Sequence, residues 1–357
     1  MSPPVPAQAG DPAVPAGPIE IADCHDAAAW DAYVHAHPDA TAYHRFAWRS
    51  VFEGVFRHPG VYLAARAGGR MAGVLPLVAF SSAVFGRFAV SLPFVNYGGV
   101  LADSPPMARA LANAAVGLAR DRGWRHVELR HLAQAFPEWP SRRHKVAMWK
   151  SLPADPDALW ASTDRKVRNL VRKAEKAGCV AQVGGIELVD DFYRVFAHNM
   201  RDLGTPDYPR RFFERVASAC AGDARVHVVR LDGAPVAGSV TIAFRETIEV
   251  PWASSLRAHS DKAPNMLLYW SMLSDAVARG AGRFDFGRST AGEGTFHFKR
   301  QWGAQPQPLV WEYLGETGDL PDRGPANPRF RAAIAIWQRL PVRVATWCGP
   351  SIVRHFP

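Results

Sequence analysis

Apolar and polar positions follow the same scheme in two places along the chain. From Tyr62 to Val78 a short apolar run meets the turn Gly68-Gly69, and a second run begins near Ala72-Gly73. The order recurs from His227 to Ala243 around Asp232-Gly233 and Ala237-Gly238. Each predicts a β-hairpin, because strand-forming runs on both sides of a glycine-bearing turn suit paired strands. Further along each half, a helix-forming stretch ends in Arg-Gly and passes into a short alternating strand. These are Leu111 to Gly123 with His126 to Arg130, and Leu267 to Gly280 with Arg283 to Gly287. Hairpin, extended segment, helix and strand, twice in the same order, point to duplication of one α/β unit.

Between the repeats, Ala158 to Gly178, Asp190 to Leu203 and Pro209 to Ala221 read as helices, with Pro206 and Pro209 breaking the chain between the last two. The expected organisation is a flexible tail over residues 1–18, one domain over 19–152, a second over 153–318 and a basic extension over 319–357. The boundary falls near Leu152-Pro153.

A length of 357 residues suits two domains, and 48% apolar with 21% charged residues is the composition of an ordinary globular protein. No apolar run reaches the roughly 18 residues of a membrane span. The most apolar region, Val74 to Val100, is interrupted by Pro76, Ser81, Arg87 and Pro93. The start of the chain lacks the pattern of a signal peptide, which predicts a cytoplasmic protein. Cys24, Cys179, Cys220 and Cys348 are scattered, without metal-ligand spacing, and read as reduced thiols, so no metal is expected. The formal net charge of +9 predicts an anionic partner, such as nucleic acid, a phosphorylated substrate or acidic lipid.

Chemistry-bearing residue types concentrate between Phe284 and Gly303, where a strand leads into a Gly-rich polar turn and then an aromatic and basic run. Alternation from Thr295 onward predicts a strand with Phe296 and Phe298 on one face and His297 and Lys299 on the other. Arg288 and Ser289 close the preceding strand, a common place for ligand-binding residues. A second candidate is the amphipathic helix around Asp164 to Lys176. Its apolar positions Val167, Leu170, Val171 and Ala174 oppose Arg165, Arg168, Arg172 and Lys176, which either form a solvated face or hold phosphates. Asn96 and Tyr97 either line a cleft or form an ordinary turn, and Ser254 and Ser255 sit where the second half's central strand should end. No phosphate-binding loop, dinucleotide fingerprint, nucleophile elbow or H-E-x-x-H is present.

The helix Arg168 to Gly178, the stretch Asn199 to Pro209, and Phe286-Gly-Arg-Ser with Phe298-Lys-Arg-Gln-Trp-Gly303 carry a resemblance. From about Ile19 to Leu314 the chain resembles the FemAB-like aminoacyltransferase and GNAT-fold acyltransferase superfamily. Within it, the FemAB-like proteins that accompany PEP-CTERM/exosortase exopolysaccharide systems are the nearest. The resemblance implies an α/β (α+β) fold of tandem GNAT-like domains, with mixed sheets flanked by helices. It also implies acyl or aminoacyl transfer to an amine in cell-envelope or exopolysaccharide precursor metabolism. By the same likeness, Lys299 acts at the reacting carbonyl and Arg168 lies near an acceptor phosphate.

The expected reaction is direct transfer without a covalent enzyme intermediate. Lys299, helped by Arg288, stabilises the oxyanion, and His297, Glu293 or Asp285 takes the proton. Arg168, Arg172, Asn96, Tyr97, Ser254, Ser255 and Ser289 are the expected substrate-binding residues. No cofactor is expected to be tightly held. The co-substrate is an acyl-CoA, an acyl carrier protein or an aminoacyl-tRNA, although Trp252-Ala-Ser-Ser-Leu lacks the pyrophosphate loop of acetyl-CoA enzymes of this fold. The acceptor is expected to be an anionic small molecule or sugar nucleotide. The alternative from another class is a non-catalytic protein that binds a polyanionic polysaccharide precursor or RNA. The tail Asn327 to Pro357, with five Arg, no acidic residue and Trp337 and Trp347, either docks across both domains or lies on the inner-membrane surface. The first half's counterpart of the Gly-rich segment, around Arg130-His131 and Arg142 to Lys145, lacks the turn. That assigns chemistry to the second half and cleft-building to the first.

Overall fold

The computed structural model describes residues 18–82, 85–133, 135–315 and 331–356. All but the last residue of the expected tail over residues 1–18, and the start of the basic extension, 319–330, lie outside the described residues.

In chain order the first half contains β1 (Ile19–Asp23), α1 (Ala27–Ala36), α2 (Trp48–Phe56), β2 (Gly60–Ala67), β3 (Arg70–Ser82), β4 (Gly86–Val90), β5 (Leu101–Ala102), α3 (Pro105–Asp121), β6 (His126–His131) and β7 (Ser141–Arg142). Then follow β8 (Val146–Ser151), α4 (Pro156–Ser162), α5 (Arg165–Lys176), β9 (Val180–Gly184), α6 (Val189–Leu203), α7 (Arg210–Ala219), β10 (Ala224–Leu231), β11 (Ala234–Phe244), β12 (Thr247–Ser255), α8 (Pro264–Ala278), β13 (Arg283–Ser289), α9 (Gly294–Gln301), β14 (Gln305–Pro308), β15 (Val310–Gly315), α10 (Arg331–Trp337) and α11 (Val342–Val353).

Both expected hairpins form, as β2–β3 and β10–β11, and both helix-strand pairs form, as α3–β6 and α8–β13. Two mixed sheets result, with strand orders β1-β2-β3-β4-β6-β15-β7, β5 attached to β3, and β14-β8-β13-β12-β11-β10-β9. The halves exchange strands. β8 precedes the expected boundary at Leu152-Pro153 yet pairs inside the second sheet, between β13 and β14. β15 returns to pair with β6 in the first. His131 Nδ1 fastens that return by donating to Glu312 Oε2 at 2.6 Å, while His131 Nε2 accepts from the Val100 amide. Trp30, Phe52, Phe94, Phe196, Phe212 and Trp252 belong to one buried cluster that runs across the seam, so the two sheets share a core.

Each sheet has one parallel pair that opens. Residues Thr247, Ile248 and Glu249 of β12 pair with Arg283, Phe284 and Asp285 of β13, after which the register ends and the strands diverge. Gly287 follows at φ +72°, and a Cβ there would meet the Val250 carbonyl at 2.9 Å and Asn96 Nδ2 at 3.0 Å. Only glycine suits a left-handed backbone in so close an approach. In the first sheet β4 and β6 pair at Ala89–Val127 and Val90–Glu128, and the buried run from Ser91 to Gly99 then fills the opening.

Two sequence expectations are corrected. The segment from Thr295 is the helix α9, not a strand, because Phe298 and Trp302, four residues apart, both pack on Tyr269. The alternating aromatics imitate a strand, but the i, i+4 pair decides. His297 and Lys299 therefore do not share a face. Ala158 to Gly178 is two helices, since the chain breaks at Thr163-Asp164 and Asp164 caps α5 by accepting from the Lys166 amide at 2.7 Å.

Candidate active site

Phe284 and Phe286 of β13 are buried in the second half's core, so alternation turns Asp285 to the seam between the halves. There Asp285 accepts from three donors. Tyr97 OH reaches Oδ2 at 2.6 Å, Trp149 Nε1 reaches the same oxygen at 2.8 Å, and the Gly287 amide reaches Oδ1 at 2.7 Å. Beside it on β12 stands Glu249, which accepts from Asn96 Nδ2. Both carboxyls are fully enclosed.

Burial, then the charge of Asp285, pushes Glu249 well above the usual carboxylate range. Burial raises Asp285 as well, but the hydrogen bonds from Tyr97, Gly287 and Trp149 and the charge of Lys299 oppose it. Two neighbouring carboxyls cannot both ionise cheaply, so each raises the other's hold on a proton, and Glu249 is pushed up further than Asp285.

Lys299 lies on α9, 7% exposed, and its Nζ donates to the carbonyls of Gly287 at 3.0 Å and Arg288 at 2.8 Å. The left-handed turn at Gly287 exposes those carbonyls. Burial lowers the ammonium to about 8, while Asp285 pulls it back up. An ammonium has three N–H bonds, and two are engaged. The third has no partner among the described residues.

A cavity of about 840 Å³ between the halves reaches Glu249 but not Asp285 or Lys299, with Thr41, His44, Tyr97, His131 and Trp149 among its other walls. Burial lowers His44 to about 3, so a neutral imidazole faces the cavity at ordinary pH.

The remaining sequence candidates scatter. Arg288 follows Gly287 and stands over the Trp311 ring at 5.6 Å. Ser289 is buried, its hydroxyl without a partner. His297 is exposed against Phe296, and Glu293 is exposed at the start of α9, so neither expected proton acceptor faces Lys299. Arg168 and Arg172 sit on α5 over Trp160, at 6.0 and 5.2 Å, where α5 packs on α8. Among the described residues no hydrogen bond or ion pair joins them to Lys299 or Asp285. Ser254 accepts from Asn199 Nδ2 at 3.2 Å, and Ser255 ends β12. Asn96 and Tyr97 are not an exposed turn but the first half's reach into the second.

Sequence reasoning missed Glu249 and Trp149. Glu249 had a readable signal, a lone acid in the apolar run Ile248-Glu249-Val250, matching Asp285 between Phe284 and Phe286.

Residues 161–300 match the family described as an acetyltransferase (GNAT) domain. Among curated proteins none matches this chain. Solved structures of similar fold include FemX, at 15% identity and TM-score 0.60, covering 80% of this chain and 95% of that one. A tandem GNAT protein from the clavulanic acid biosynthesis pathway is 13% identical with a TM-score of 0.56, covering 85% of this chain and 100% of that one. L-PGS from Bacillus licheniformis is 13% identical with a TM-score of 0.51, covering 75% and 86%. The molecule is a duplicated GNAT-like fold of two mixed sheets flanked by helices, and its match to the acetyltransferase domain lies in the half that carries Asp285 and Lys299.

Proposed function

We propose that the protein transfers an acyl or aminoacyl group to an amine acceptor in cell-envelope or exopolysaccharide precursor metabolism. The carrying observation is Lys299 Nζ, anchored by two carbonyls with its third N–H unengaged among the described residues. The acceptor nitrogen attacks the carbonyl carbon of an activated ester or thioester, and Lys299 donates to the oxyanion that forms. The C–N bond forms as the C–O or C–S bond breaks. Asp285 takes the amine's proton and returns it to the leaving oxygen or sulfur as that departs. The donor is an acyl-CoA, an acyl carrier protein or an aminoacyl-tRNA, and no tightly bound cofactor enters the scheme. One oxyanion donor of this kind contributes roughly 3 kcal/mol. Transfer from each donor class to amine acceptors, compared between the wild type and Lys299→Ala, tests the reading. Undiminished transfer by Lys299→Ala would remove it.

We also propose that the chain rests on an anionic membrane surface through its C-terminal helices. No described helix is long and apolar enough to cross a membrane. In α11, Ala345, Gly349 and Val353 face inward against α6, while Trp347 is 81% exposed on the opposite side, with Val344 beside it at 42%. Ile336 on α10 is 63% exposed. Arg331, Arg339 and Arg343 are exposed around these residues, and residues 331–356 contain no acid. Arg with interfacial Trp suits anionic headgroups, each Arg contributing about 1 kcal/mol near the surface. Sedimentation with phosphatidylglycerol vesicles should carry the protein down, and neutral phosphatidylcholine vesicles should not. Equal sedimentation of a Trp347→Ser, Arg343→Gln variant would defeat the proposal.

A further inference from the structure

Strand exchange gathers basic side chains at the seam, and only part of their charge is met by acids. β15 sets Trp311 opposite Arg130 of β6, and the Arg130 guanidinium stands over the indole at 4.4 Å. The same indole carries Arg288 at 5.6 Å and the His144 ring at 5.0 Å. Lys145, just before β8, reaches Thr290 Oγ1 at 2.7 Å, one register step from the end of β13. Arg130, Arg288 and His144 thus meet around one ring, with Lys145 beside them at the end of β13.

Their charges are unevenly met. Arg130 is neutralised by Glu128, through Nε at 2.8 Å and Nη2 at 2.7 Å, both residues being almost fully buried. Arg288 has no ion pair among the described residues, and its Nη1 is enclosed without a partner. Trp311 Nε1 is likewise enclosed and unpartnered. Burial and Arg130 depress the Arg288 guanidinium, and burial and Arg288 depress Lys145. Arg288 is half-buried, and its enclosed Nη1 has lost hydration without gaining an acceptor. An arrangement of orphaned donors and mutually repelling cations is what an anion would relieve.

We propose that this seam, built by Arg288 and Lys145 with Arg130 and Trp311 behind them, binds a phosphoryl group of a substrate. A guanidinium fork beside an ammonium suits a doubly charged phosphoryl oxygen cluster better than a single carboxylate. Lys299 holds the Arg288 carbonyl, which ties the oxyanion donor to the residue that binds the phosphoryl group. This replaces the basic face of α5 as the seat of the substrate's charge. The inference rests on the transfer reading only for the identity of the molecule to which the phosphoryl group belongs.

Calorimetric titration of the full chain with inorganic pyrophosphate tests it without turnover. Saturable binding in the millimolar range or tighter is expected. It should weaken about tenfold or more in Arg288→Gln and in Lys145→Gln, and stay unchanged in the surface control Arg66→Gln. Because Arg288 is unpaired, Arg288→Gln should melt no lower than the wild type when ligand-free; a clearly lower melting temperature would show an internal partner and overturn the proposal. Should Arg288→Gln not fold, Lys145→Gln carries the test. No saturable binding, or equal binding by both variants, also overturns it. Competition by coenzyme A, by a uridine diphosphate sugar and by a CCA trinucleotide then separates donor from acceptor phosphates. Displacement by none of them would mean an adventitious ion only, and would end the substrate role. A chain that binds pyrophosphate and is displaced by one of the three, yet transfers nothing, would instead sink the transfer reading alone.

Discussion

Tyr97 of the first half donates its phenol to Asp285 of the second at 2.6 Å, so the carboxylate that faces Lys299 is held by a residue from the opposite sheet. Tyr97→Phe keeps the buried ring and removes one of three donors to Asp285. Each such bond to a charged acceptor is worth about 1.5 to 3 kcal/mol. The carboxyl should then bind its proton more tightly, moving the acidic limb of the rate profile upward, with kcat falling about tenfold and KM little changed. A pH–rate profile of Tyr97→Phe that overlays the wild type would mean Asp285 takes no part.

Lys299 offers a sign that separates two roles. Its ammonium is lowered to about 8. As an oxyanion donor it must be protonated, so kcat should fall as pH rises through about 8. As a base it would have to be neutral, and kcat would rise through the same range. Lys299→Met should lose roughly a hundredfold to a thousandfold in kcat and lose that basic limb.

The turn at Gly287 can be tested against a neighbour of similar backbone. Gly287 at φ +72° and Gly292 at φ +81° are both left-handed, but only Gly287 has atoms where a Cβ would stand. Gly292→Ala should cost about 1 kcal/mol of backbone strain. Gly287→Ala should cost clearly more, because the Val250 carbonyl cannot move aside, and should displace Asn96 from Glu249. Thermal melts of the two variants check this, and equal shifts would contradict it.

Both hairpins and both helix-strand pairs were legible because period-two runs, Gly turns and Arg-Gly helix ends are local signals. Long-range relationships were not. Nothing in Val146–Ser151 announces that β8 will cross into the second sheet, since its pairing with β13 is decided by partners over a hundred residues away. Asn96 and Tyr97 read as a turn because Asn-Tyr-Gly-Gly has turn chemistry. Their burial follows from the opening after β4, which no local pattern encodes. α9 misled for the opposite reason, as its aromatics alternate like a strand although Tyr269 selects the helical pair.

Asp207 links the C-terminal helix to the second half and makes that docking pH-dependent. Its carboxylate accepts from Tyr193 OH at 2.9 Å, is 2% exposed, and lies under Gly349 of α11, where a Cβ would stand 2.0 Å from Oδ1. Burial pushes the carboxyl up to about 6, against the ordinary 3.8. The folded chain therefore holds this proton more tightly than the unfolded chain. Stability from this group is greatest below about pH 4 and declines as pH rises toward 6, above which the penalty is complete. A shift of about two units corresponds to a penalty on the order of 3 kcal/mol. Asp207→Asn removes the charge but keeps an oxygen for Tyr193. It should raise the melting temperature at pH 8 by several degrees, and the gain should vanish near pH 4. A gain of equal size at both pH values would place the effect outside Asp207's ionisation. Gly349→Ala should lower the melting temperature at both, because it lifts α11 from α6 whatever the charge beneath.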